Sequence, residues 1–279
     1  MNTTASNKLS RAWVNPFSVT TSLEQRIFFL LRLGVMGCFV GHGAWGVITK
    51  AGWLPFFQVF FISEKTAYSL MPLIGAMDII VGLLIFFRPT RALIVWAVFW
   101  TVFTAFLRPS AGMGMSEFFE RAGNFGIPAA LLLLFRLPKT RREWFAPLDT
   151  FRAWSPELLK QLEWMMRITV FLLLAGHGGL AYFMHSPNIT KHFASLGINA
   201  DITLLSVFGI FEMALGVVAL LWPRLSGLML FIVFYKLATE LLFPYSGVPR
   251  DFLETFERMG DYVAPLVLWN IYRSKKQLI

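Results

Sequence analysis

The pentapeptide Glu257-Arg258-Met259-Gly260-Asp261, followed by Pro265, sits inside an apolar run, and the chain carries it twice. The earlier copy is Glu120-Arg121-Ala122-Gly123-Asn124, followed by Pro128 at the same spacing. Working backward from each copy, the same landmarks recur in the same order. Arg32, His42, Asp78, Pro89, Thr104 and Pro109 answer to Arg167, His177, Glu212, Pro223, Thr239 and Pro244, about 135 residues apart. Each histidine lies between two glycines. The chain is therefore a duplication, and its repeated ionisable residues stand where apolar surroundings make them costly.

Runs of about 20 apolar residues recur, the length that crosses the hydrocarbon of a bilayer at about 1.5 Å per residue. With 56% hydrophobic and 15% charged residues, the chain has too little polar surface for a soluble domain of this size. The expected fold is an all-α integral membrane protein of eight transmembrane helices, arranged as two tandem, same-orientation four-helix bundles. The spans are predicted near 28–49, 67–87, 92–107, 117–137, 165–184, 202–222, 225–243 and 255–273. They divide the chain into an N-terminal tail (1–25), a first repeat (26–137), a basic linker (138–164), a second repeat (165–273) and a C-terminal tail (274–279). The tail lacks the apolar core of a signal peptide, so the first span is expected to act as the targeting signal. A surface-lying helix carrying Trp154 and Leu158-Leu159 is predicted late in the linker. Cys38, the single cysteine, reads as a small packing residue.

Orientation follows from the basic residues. Sixteen of the 25 Lys and Arg fall on the side of the termini and linker and seven on the other. This places both termini in the cytoplasm and the protein in the inner (plasma) membrane. Four spans per repeat leave the repeats the same way up, related by an axis along the membrane normal. The net charge of +9 then reflects topology and attraction to anionic membrane lipids, not nucleic acid.

Arg32 and Arg167 begin their helices and are expected to snorkel to the headgroups. Ten residues of helix carry His42 and His177 about 15 Å deeper. Asp78 and Glu212 lie halfway along the second spans. Glu120 and Glu257 open the fourth spans, and Asn124 and Asp261 share their helix faces one turn deeper. Each repeat thus gathers a histidine, an acid and a Glu-x-x-x-Asn/Asp pair at similar depth. Sharing hydrogen bonds and protons is the least costly way to keep them there. The expected groupings are His177, Glu212, Glu257 and Asp261 in the second repeat, read as catalytic, and His42, Asp78, Glu120 and Asn124 in the first, read as binding. Arg121, Arg258 and the pair Lys236 and Glu240 complete the candidates. The second repeat has the more charge and is the one expected to be active. The same residues also suit hydrogen-bonded and ion pairs that only hold helices together.

The order Arg…Gly34…Gly41-His42-Gly43, then Asp78 and Gly82, and again Gly176-His177-Gly178, Glu212 and Gly216, is similar to that of the DoxX/DoxD-like membrane proteins. These are four-helix units, some of which serve as the membrane part of a thiosulfate:quinone oxidoreductase. Fusion of two units and the marked Glu-Arg block depart from that pattern. The resemblance implies a quinone-linked role, with quinone as cofactor and electrons supplied by a partner subunit or small substrate. Beside this oxidoreductase reading stand a proton-coupled transporter and a structural or assembly subunit. A haem held between His42 and His177 ranks low, because each histidine has an acid in its own repeat that a haem ligand does not need. A metal on a histidine and carboxylates ranks below a purely protonic site, because thiolates and repeated histidine ligands are missing.

Overall fold

A computed structural model describes residues 21–148 and 154–276. Residues 1–20 of the expected tail, 149–153 of the linker and 277–279 of the C-terminal tail lie outside the described residues. The described chain is helical, and its only β feature is an isolated bridge between Thr90 and Pro147.

In order, the helices are α1 (Leu23–Val47), α2 (Leu54–Gln58), α3 (Glu64–Phe87), α4 (Arg91–Ser110), α5 (Met115–Glu120), α6 (Ala122–Leu133) and α7 (Arg141–Phe145). Then follow α8 (Pro156–Tyr182), α9 (Pro187–Ser195), α10 (Ile202–Leu221), α11 (Ser226–Glu240), α12 (Leu242–Ser246), α13 (Phe252–Glu257) and α14 (Met259–Lys276). Local chemistry sets the starts. Ser22 and Gln25 form a capping box at α1, and Ser63, Thr90, Ser155 and Asp201 accept backbone N–H bonds at α3, α4, α8 and α10. Leu158 and Leu159 belong to the first turns of α8 rather than to a separate surface helix, because Ser155-Pro156 is a strong helix start continuous with the apolar run.

Among the described residues, six helices are long and apolar enough to cross a membrane: α1, α3, α4, α8, α10 and the stretch Ser226–Ser246. The protein is membrane-embedded and all-α. The fourth element of each repeat is in two pieces, α5–α6 and α13–α14, divided at Arg121 and Arg258. There the backbone ladder tightens to three-residue bonds, from Asn124 N–H to Arg121 C=O and from Asp261 N–H to Arg258 C=O, both 2.9 Å. The Glu-Arg block therefore marks a break within the fourth element and not the start of a continuous span.

Helices α1, α6, α8 and α14 form the centre, where Leu31, Leu131, Met166 and Leu268 meet in one core that spans both repeats. Helices α3, α4, α10 and α11 lie outside and turn Leu73, Ile80, Phe99, Phe106, Ile210, Phe211 and Phe234 outward. A belt of that kind suits lipid tails. Each short piece reaches across to the other repeat: α5 packs on α8 and α13 on α1. The repeats interlock.

Glycine makes that crossing possible. A Cβ on Gly41 would collide with the backbone of Glu257, and one on Gly176 with the backbone of Glu120. On the axis between repeats, Gly123 and Gly260 bring α6 and α14 into backbone contact. Gly176→Ala is expected to cost about 1–3 kcal/mol, since rigid backbone and not a flexible side chain must give way. Gly52→Ala, where a Cβ meets nothing within 4 Å, should change little. Thermal unfolding in detergent compares the two, and equal melting temperatures would refute the tight crossing.

Arg32 and Arg167 each turn to a helix end. Arg32 donates to the carbonyl of Phe86 (2.7 Å) at the end of α3, and Arg167 donates to that of Leu220 at the end of α10. Both bonds fall on carbonyls in the last turn of a helix, where the backbone ladder runs out.

Candidate functional site

The glycine before each histidine meets the partner repeat, and the glycine after it meets the second helix of its own repeat. A Cβ on Gly43 would lie 2.5 Å from Gly75 C=O, and one on Gly178 2.5 Å from Gly209 C=O. The histidine between them is thus set at a three-helix junction. His42 Nδ1 lies 2.8 Å from Asp78 Oδ2, and His177 Nδ1 lies 2.6 Å from Glu212 Oε2. An ionised carboxylate only accepts, so Nδ1 carries the proton and donates, leaving Nε2 as the acceptor or base. The expected histidine–acid pairs are formed in both repeats.

The Glu-Arg blocks exchange partners across the axis. Arg121 NH1 donates to Glu257 Oε1 at 2.6 Å, and Arg258 Nε donates to Glu120 Oε1 at 2.9 Å. Arg121 Nε also stands 3.0 Å from Glu120 Oε2, an ionic contact. Arg258 further meets Glu240 Oε2 at 3.1 Å and Glu254 Oε2 at 2.7 Å. Lys50 pairs with Glu254 from the α1–α2 connection. All of these except Lys50 are buried.

This exchange corrects the expected grouping. Glu257 lines a cavity with His42 and Asn124 of the first repeat, while Glu120 lines a second cavity with His177. Asp261 is turned to Lys236 (3.8 Å) and to Gly123 at the α6–α14 crossing. The reason is geometric: a close-packed α1–α13 contact brings Glu257 to the other repeat's histidine.

The first cavity, about 210 Å³, lies between α3 and α4 beneath the α1–α3 connection. Trp53, Phe56, Phe57, Phe60 and Phe103 give it aromatic walls, and His42, Asn124, Arg121 and Glu257 give it polar groups. Trp53 stacks on the His42 ring at 4.4 Å between centroids, so the imidazole is held from its face as well as by Asp78. A small pocket of about 20 Å³ continues from it, sharing His42, Trp100, Thr101, Thr104 and Asn124 and adding Asp78 and Cys38. The second cavity, about 200 Å³, is polar and lies between the repeats at the same end, lined by Glu120, Arg258, His177, His192 and Asn188 among others.

The second repeat differs from the first beside its histidine–acid pair. Lys236 and Glu240 stand where the first repeat has Thr101 and Ala105, and they bond to each other at 2.7 Å, fully buried. Tyr235 stands where the first repeat has Trp100, and its hydroxyl donates to Glu212 Oε1 at 2.8 Å. Much of the charge that marks the second repeat as the one expected to be active is thus paired within the protein. Among the described residues, no group of three or more His, Cys, Asp or Glu is arranged to hold a metal.

Sequence reasoning missed Trp53, Tyr235, Lys50 and Glu254. Aligning the repeats puts Tyr235 opposite Trp100, which would have exposed the difference beside the acid. Trp53 carries no such signal, since the α1–α3 connection has no matching landmark.

No protein-family model, no curated protein and no solved structure matches this chain.

Proposed function

We propose that the protein is a quinone-linked membrane redox component that takes the ring of a quinone into the aromatic cavity of the first repeat. In this reading each repeat crosses the inner membrane four times, the fourth passage being α5–α6 or α13–α14. The termini face the cytoplasm, as the excess of basic residues on their side favours. A DoxX-like unit, duplicated, has this form.

The observation that carries the reading is His42, fixed by Asp78 and Trp53 at the end of an aromatic cavity. Flat aromatic walls suit a planar ring, and one fixed imidazole orients its polar end. The fit extends to the buried Asp78 Oδ1 and Asn124 Oδ1, which find no hydrogen-bond partner among the described residues. A quinone supplies two-electron chemistry, with electrons delivered by a partner protein or small substrate. His42 Nε2 accepts from the hydroxyl of the reduced ring and, when the imidazole is protonated, donates to the carbonyl oxygen of the oxidised one. Asp78 keeps the imidazole in the tautomer that leaves Nε2 available and stabilises it when protonated. Arg121 holds Glu257 at the cavity wall.

Extraction of lipids from the purified protein should yield bound quinone. His42→Ala should weaken quinone binding at least tenfold, which corresponds to about 1.4 kcal/mol, the scale of a hydrogen bond to a buried ring oxygen. His177→Ala should leave binding unchanged. Titration calorimetry with both variants decides this, and equal losses in both would sink the assignment to the first repeat.

The repeat-related breaks at Arg121 and Arg258 favour a second reading, a proton-coupled transporter with its site between interlocked repeats. Substrate-driven proton uptake by liposomes containing the protein would favour it over the redox role.

A further inference from the structure

The two repeats differ beside their buried acids in a way that identifies the chemical form of the ligand. In the second repeat, both oxygens of Glu212 are used: Oε2 accepts from His177 and Oε1 accepts from the phenol of Tyr235 at 2.8 Å. In the first repeat, Asp78 Oδ2 accepts from His42, but Oδ1 is buried and finds no partner among the described residues. The residue opposite Tyr235 is Trp100, which carries no hydroxyl. A phenol is thus present in one repeat and missing from the same place in the other.

The small pocket at this place is rich in acceptors. Asp78 Oδ1 and Asn124 Oδ1 both lack donors, and both residues line it. Thr101 Oγ1 donates to Ala97 C=O at 2.7 Å and Thr104 Oγ1 to Trp100 C=O at 3.0 Å, so these hydroxyls have only lone pairs left to offer. His42 Nε2 is a further acceptor. Against them stand the Cys38 thiol, the Asn124 side-chain amide N–H2 and the indole Nε1–H of Trp100, the last of which also finds no partner among the described residues. A quinone carbonyl brings only lone pairs and would face Asp78 Oδ1 acceptor to acceptor. A quinol hydroxyl donates to Asp78 Oδ1 and accepts from Trp100 Nε1–H, satisfying both.

We infer that the first-repeat site binds the phenolic, reduced form of its ligand, a quinol, in preference to the quinone, with Asp78 Oδ1 accepting the hydroxyl that Tyr235 supplies to Glu212 in the second repeat. The inference rests on the quinone-ring reading of the cavity. It adds that bound quinone is a stronger oxidant than free quinone, because the site stabilises the product of its reduction.

The test uses the full-length protein in detergent, titrated anaerobically with duroquinol and with duroquinone. Duroquinol should bind at least tenfold more tightly, which raises the midpoint potential of the bound couple by about 30 mV per tenfold for two electrons. Trp100→Tyr combined with Asp78→Glu copies the second repeat's pair and should remove at least tenfold of the duroquinol affinity, since the protein's own phenol then fills the place. Trp100→Phe supplies no phenol but removes the indole donor, so affinity for both forms should fall while duroquinol stays the tighter of the two, with the melting temperature reporting that the helix packing survives. Equal affinity for the two forms in the native protein, or a preference for duroquinone, overturns the inference while leaving the quinone site standing. Binding of neither form overturns the quinone reading itself.

Discussion

Arg258→Leu is expected to cost about 3–5 kcal/mol of stability, the range for removing one partner from a buried ion pair. Three carboxylates, those of Glu120, Glu240 and Glu254, contact this guanidinium between 2.7 and 3.1 Å. All three stay buried when it is removed, and each must then lose its charge or draw in water. Arg258→Lys should recover only part of the loss, because a point charge cannot serve three acceptors set around a planar fork. Because Arg258 joins Glu120 of the first repeat to Glu240 and Glu254 of the second, its loss loosens the contact between repeats and not only α13. Thermal unfolding in detergent measures the effect; a loss below about 1 kcal/mol would mean that the network is solvated and contributes as little as a surface pair.

How far this arrangement is legible in the sequence depends on the kind of information required. Depth is legible. Counting 1.5 Å per residue from Arg32 and Arg167 puts each histidine level with its acid, and both pairs form. Azimuth is not legible. A landmark's position along a span says nothing about which neighbour its helix faces, so Glu120 and Glu257 were assigned to their own repeats although α5 and α13 cross to the other. The glycines hold the missing clue, since Gly41 and Gly176 permit a close neighbour without saying which. The breaks at Arg121 and Arg258 were hidden for a related reason: apolar residues on both sides of a Glu-Arg pair look the same whether the helix starts there or bends there. Charge alone does not mark function either, because buried opposite charges can satisfy each other. Lys236 and Glu240 are four residues apart on one helix, a spacing at which opposite charges bond to each other.

That self-pairing gives the other large effect. Lys236→Thr alone places the first-repeat residue at its equivalent position and leaves Glu240 and Asp261 buried without their ammonium. Glu240 lies 2.7 Å and Asp261 3.8 Å from Lys236 Nζ, and both oxygens of Asp261 find no hydrogen-bond donor among the described residues. A loss of about 3–5 kcal/mol is expected for this single change. Adding Glu240→Ala and Asp261→Asn removes the stranded charges and completes the likeness to Thr101, Ala105 and Asn124, so most of the loss should be recovered. Strong non-additivity of this kind is what a shared network produces. Arg258 keeps Glu120 and Glu254 in the triple variant, so the contact between repeats survives. The removed side chains should leave space beside Glu212, as Thr101 and Ala105 line the cavity beside His42 in the first repeat. Tyr235 still occupies the acid's second oxygen, so space alone does not create a second site for a phenolic ligand. Adding Tyr235→Trp to the triple variant should raise the number of duroquinol molecules bound per chain from one toward two in calorimetric titration. A stable variant that still binds one would show that the aromatic walls formed by Trp53 and its neighbours are as necessary as the open acid.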